Sequence, residues 1–134
     1  MKGNMIMIMK YELTTNTTIT ESGVKLYQIR ALKDFGIVKA GDLGGYVQSE
    51  SNLLQEGGAW IFDEACVYGE ALIYDNACVY DRARVFSEAR VFGEAHISDE
   101  ARVSGEAWVY GEARVSGEAR VSGEARVSGN AWIF

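Results

Sequence analysis

The chain has 134 residues, 48% of them hydrophobic and 24% charged, with a net charge of −6. That length bounds it to about one domain. Its acidic balance works against phosphate backbones, so nucleic acid is not an expected partner. Fifteen Gly and no Pro suit a stack of paired strands, in which a Pro would delete a ladder donor.

Residues 1–9 read as a Met-rich, flexible leader. The apolar stretch Met5–Met9 is too short for a signal-peptide core, and no run is long enough to span a membrane, so a cytoplasmic location is expected. Residues 10–58 read as an N-terminal β cap and a lead-in coil. Lys10–Leu13 and Val24–Leu32 are expected as short strands, with the polar run Thr14–Gly23 as the turn between them. Lys39–Tyr46 is a Gly-rich segment without the order of a phosphate-binding loop, and it is expected to turn a corner into the first coil. Imperfect repeats around Val47 and Leu53 precede a two-residue insertion.

From residue 59 to 134 a hexapeptide recurs thirteen times, the last copy incomplete. Each copy reads Ala, any residue, Val or Ile, an aromatic or Ser, Gly or Asp, then usually Glu. Ala113-Arg-Val-Ser-Gly-Glu118 is a clean example. Period-2 alternation turns Ala113 and Val115 inward and Arg114 outward. Gly, or Asp at 63, 75, 81 and 99, then supplies the left-handed backbone of a tight bend. Such a unit buries its inner face only against neighbouring copies, which predicts a parallel β-helix.

The hexad resembles the repeat of three-sided β-helices, and that resemblance implies eighteen residues per coil and a left-handed solenoid. The fold expected is therefore all-β: a single-stranded, three-sided parallel β-helix with a small N-terminal β cap.

Stacking turns equivalent positions into outward columns, such as Cys66, Arg84, Arg102, Arg120 and Glu64, Arg82, Glu100, Glu118. Charge pairs along and between rungs are expected on them. The residue after Val is aromatic in the first six copies. Tyr68, Tyr74, Tyr80, Phe86 and Phe92 are candidate binding residues, forming an outward belt with Phe62. The other reading is that these rings stack on one another and shield the ladder.

Trp132, Ile133 and Phe134 form a terminal coil without a polar cap, and an end-to-end twofold dimer through them is expected. The alternative folds Trp132 and Phe134 across the opening.

No catalytic residue, cofactor or metal ligand is assigned. Hexapeptide helices include acyltransferases, but His96 stands alone at an outward position without an inserted loop to shape a pocket. Cys66 and Cys78 have neither disulfide nor metal-ligand spacing and fall on different faces. No array of Thr marks an ice-binding face, since residues 59–134 contain none.

Lys25-Leu-Tyr-Gln-Ile-Arg-Ala-Leu-Lys33, Gly41-Asp-Leu-Gly-Gly-Tyr-Val47 and Ser51-Asn-Leu53, followed by the Ala-x-Val repeats, resemble the YdcK-type β-solenoid family. That resemblance covers about residues 10–134. It implies a bacterial, often phage- or prophage-encoded solenoid with a non-repeating cap, and no established reaction. The expected function is a non-enzymatic binding or assembly module. By the same association, it could act on a bacterial host or defence protein.

Overall fold

A computed structural model describes residues 9–134; apart from Met9, the expected leader lies outside the described residues. The chain is an all-β solenoid of parallel stacked coils. Trp60 stands opposite Cys78, Cys66 opposite Arg84 and Leu72 opposite Arg90, a constant offset of eighteen residues. Three walls result. The first carries Cys66–Val67, Arg84–Val85, Arg102–Val103 and Arg120–Val121. The second runs from Trp60–Ile61 through Cys78–Val79, His96–Ile97 and Arg114–Val115 to Trp132–Ile133. The third holds Leu72–Ile73, Arg90–Val91, Trp108–Val109 and Arg126–Val127.

The shaft follows from the hexad. Ala65, Ala83 and Ala101 and their partners Val67, Val85 and Val103 are fully buried, as are their counterparts on the other walls up to Val115. Burying one Val contributes roughly 1.5–3 kcal/mol, while the Ala methyl is small enough for three walls to meet. Between strands the backbone turns at positive φ, for example 67° at Gly69, 57° at Asp63 and 61° at Asp81. A side chain there costs about 1–2 kcal/mol, and Asp offsets part of it. The Asp63 carboxylate accepts a hydrogen bond from the Asp81 N–H (3.1 Å), Asp81 from Asp99 (3.0 Å), and Asp99 from Gly117 (2.8 Å). An Asp corner therefore ties its coil to the next one.

At the other end, β1 (Tyr11–Ile19) pairs antiparallel with β2 (Lys25–Ala31), and β2 with β3 (Leu43–Val47). β3 then joins the first wall, parallel to Cys66–Val67. Two expectations need correction here. Thr14–Ile19 belongs to β1 rather than to a turn, because β-branched Thr residues suit a pleated ribbon. The turn is confined to 20–24, where Gly23 takes φ 92°.

Only Gly41, at φ 96°, serves as a bend in the Gly-rich segment. Gly44 and Gly45 lie in β3, where a Cβ would sit 2.5 Å from the Ile61 carbonyl oxygen and 2.5 Å from Ile61 Cγ2, respectively. They are needed for close approach of strand to core.

Polar side chains close this end. Lys10, fully buried, donates from Nζ to the carbonyls of Ala59 (2.8 Å) and Gly57 (3.3 Å), and its ammonium lies 5.3 Å from the Phe35 ring centroid. The Tyr11 hydroxyl donates to Leu53 O (2.6 Å). Buried Asn52, in the 3-10 turn Glu50–Asn52, donates to Gly69 O (3.1 Å) and Ala71 O (2.9 Å) and accepts from Gln48 and Ser49 N–H. Edge carbonyls that would otherwise be buried without partners are thereby satisfied.

Burial, and secondarily Lys33, lowers the Lys10 pKa from 10.5 to about 8. Between those values the unfolded chain holds a proton that the folded one lacks, so stability rises with pH across that window. The buried thiols of Cys66 and Cys78 act in the opposite sense, so the difference between wild type and Lys10→Met isolates Lys10. In urea unfolding from pH 8 to 10.5, the wild type should gain stability relative to that variant as pH rises.

Candidate functional site

From Ala59 onward every strand is two residues long and is followed by a short turn, with no loop leaving the coil. Whatever the solenoid contacts must therefore meet its outward columns. The five candidate aromatic residues do not share one surface. Tyr68 and Phe86 stack at one corner, with ring centroids 5.1 Å apart and an interplanar angle of 6°. Tyr74 and Phe92 stack at a second corner (4.9 Å, 3°), and Tyr110 extends that column (5.0 Å, 1°). Tyr80 occupies the third, edge-on to Phe62 at 6.2 Å. All of these rings are half-buried. The eighteen-residue repeat fixes the ring spacing close to the ~4.8 Å separation of stacked strands.

The charged columns pair less than the alternating pattern predicts. Among the described residues, Arg82 meets Glu64 at 3.6 Å, Arg84 meets Glu21 at 3.5 Å, and Arg30 pairs with Glu12. The coil period explains the shortfall, because it stacks like on like. Glu106 and Glu70 above and below Glu88 hold its carboxyl above the ordinary 4.5. Several arginines turn to aromatic rings instead. Arg126 lies 4.3 Å and Arg90 5.7 Å from the Trp108 ring centroid, and Arg114 lies 5.9 Å from that of Trp132. Sequence reasoning missed these contacts, although the eighteen-residue offset of Arg90, Trp108 and Arg126 was available to find them.

In the last coil, Trp132 (67% exposed) stands on the outer column beside Arg114, and Phe134 is 86% exposed. Neither ring crosses the shaft. Ile133 points inward and is only partly covered, as is Val127.

His96 stands opposite Cys78 in the register, and its Nδ1 is 3.4 Å from the Tyr80 hydroxyl. Burial, then the Arg114 guanidinium, lowers its pKa, so the ring is neutral at neutral pH. Burial raises the thiol pKa of Cys78 and of Cys66. The two cysteines are free and lie on different walls. On the second wall, Cys78, Tyr80 and His96 lie together and line one cleft. Among the described residues no group of three or more His, Cys, Asp or Glu could hold a metal ion, and no helix is long and apolar enough to cross a membrane.

The family model for the YdcK β-solenoid repeat matches residues 113–129 and 119–133. Residues 113–133 thus match YdcK β-solenoid repeats. A protein of Escherichia coli (strain K12) described as an uncharacterized acetyltransferase, YdcK, is 44% identical over 48 residues. That match covers 36% of this chain and 15% of the relative, so the chain spans a small part of that protein's length. Of the three exact Ala-Arg-Val-Ser-Gly-Glu copies, 113–118 and 119–124 fall within the matched span and 101–106 precedes it.

Phe92 touches rings on both sides of its column, and each aromatic pair contributes about 0.5–1.5 kcal/mol beyond area burial. Phe92→Ser should therefore destabilise the fold by about 2 kcal/mol in urea unfolding. Ser122→Ala, at an exposed corner whose column neighbour is Ser104 and not a ring, should change stability by less than about 0.5 kcal/mol.

Proposed function

We propose that the protein is a non-enzymatic binding and assembly module of the bacterial cytoplasm, acting in phage–host contact through protein–protein interaction. The observation that carries this reading is the uninterrupted coil. Residues 59–134 form side-chain columns on a rigid rod and extrude no loop to enclose a substrate. Rigid columns of half-buried rings suit docking, since little side-chain entropy is lost when a partner covers them.

The proposed assembly is an end-to-end twofold pair through coil 117–134. There the inward side chains of Val127 and Ile133 are incompletely covered. Edge strands such as Arg120–Val121 and Arg126–Val127 have a neighbour on one side only. Alternate residues of an edge strand offer both N–H and C=O, so a twofold copy can pair antiparallel with the same edge.

A second reading, acyl transfer, draws on the similarity to the E. coli protein described as an uncharacterized acetyltransferase and on His96. Calorimetry with acetyl-CoA separates the two: heat of micromolar binding would overturn the non-enzymatic reading. Light scattering tests the assembly. The wild type should show twice the mass of one chain, and Val127→Glu should show the mass of one chain with its circular dichroism intact. A wild type of single-chain mass would overturn the paired rod.

A further inference from the structure

We infer that the cleft beneath Ile37 is a docking site for a short basic segment of a partner protein, with one apolar side chain entering the cleft and Lys or Arg side chains following the Asp63–Asp81–Asp99 column. This rests on the protein-binding reading above and specifies the chemistry of the partner.

The cleft is built by a short strap in the cap. Phe35 and Val38 bond to each other through backbone N–H and C=O in both directions, at 2.9 and 2.8 Å. Gly36 makes the bend possible at φ 53°. Both side chains serve the core: Val38 is 4% exposed, and the Phe35 ring packs edge-on against buried Trp60 at 5.3 Å. The strap thereby presents Ile37, which is 82% exposed. Ile37 overhangs a cleft of about 270 Å³ lined by Phe62, Cys78, Tyr80 and His96, with Asp63 at its margin. Rings supply most of the walls, and burial keeps the thiol and the imidazole uncharged. Room and lining suit one aliphatic or aromatic side chain.

Charge decides what accompanies that side chain. Asp63 also begins a groove that continues along the same corner past Asp81 and Asp99 to Glu100 and Glu118. Arg82 is the one cation in its lining, and it already faces Glu64 at 3.6 Å. Glu100 and Glu118 also line an adjoining groove with Arg84, Arg102 and Arg120, so the Asp63–Asp81–Asp99 column is the part of the corner left for an incoming cation. The three Asp carboxylates are held in place, since each spends one oxygen on the backbone N–H of the next coil. All three line the groove, and carboxylates already fixed in place lose less side-chain freedom on binding a cation than free surface carboxylates do.

The Glu70–Glu88–Glu106 corner is a built-in comparison. It is as acidic, but Arg90 and Arg126 lie in its groove, over Trp108. From Phe62 to Glu118 the path crosses three rungs, roughly 14 Å at ~4.8 Å each, which an extended chain covers in about four or five residues.

The probe is an N-acetylated pentapeptide amide of one Leu followed by four Lys, titrated into the full chain and followed by NMR. The expected result is a saturable shift of the Ile37 methyl and His96 ring resonances. Replacing the Leu of the peptide by Gly should weaken binding at least tenfold, and so should Ile37→Ser in the protein. Ile37 is exposed, so that variant keeps the fold, which its amide spectrum verifies.

Equal shifts at Glu88 and Glu106, or equal affinity of the Gly peptide, would overturn the site in favour of non-specific attraction of cations. Absence of binding while the paired mass persists would overturn this partner chemistry and leave the assembly module standing. Absence of both would remove the binding reading itself.

Discussion

Each wall of the solenoid holds together because Ala and a β-branched residue share its inner side while the chain bends at positive φ every six residues. The pair is small enough for three walls to close and apolar enough to keep the shaft dry, as the full burial of Ala83, Val85, Ala89 and Val91 shows. Everything on the outside inherits its position from that inner register. Columns of rings, carboxylates and guanidinium groups are consequences of an eighteen-residue period, and none of them could be moved without moving the shaft.

The corners add a second layer of control. Gly at a corner supplies the bend alone. Asp supplies the bend and a bond to the coil above, at the cost of a strained φ. The Asp63, Asp81 and Asp99 corners stack, so one edge of the rod is laced by side-chain-to-backbone bonds. The same lacing turns three carboxylates into a fixed, negatively charged ridge beside a ring-lined cleft. Fold and surface chemistry share these atoms.

The repeating part of the molecule was legible in the sequence because its physics is local. Alternation at Ala113-Arg114-Val115 says which side chain turns inward, and Gly117 says where the wall bends. The cap was less legible, since long-range contacts decide it. Nothing in the run Thr14–Ile19 reveals that it lies alongside Lys25–Tyr27, and nothing near Gly44 reveals that Ile61 presses against it.

The surface falls between these cases. The aromatic positions were evident, and of the two readings open for them the stacking of rings along the corners is seen at Tyr68–Phe86 and Tyr74–Phe92. The charge pairs expected along and between rungs are few, because stacking sets Glu70, Glu88 and Glu106 against one another.

The eighteen-residue register is the central claim, and the native thiol of Cys66 can report it. Cys66 and Arg84 are direct neighbours on adjacent coils, whereas Arg90 lies on another wall. Dibromobimane fluoresces only after bridging two close thiols, so Arg84→Cys should light up and Arg90→Cys should not. Equal fluorescence from the two variants, or fluorescence from Arg90→Cys alone, would contradict the stacked coil.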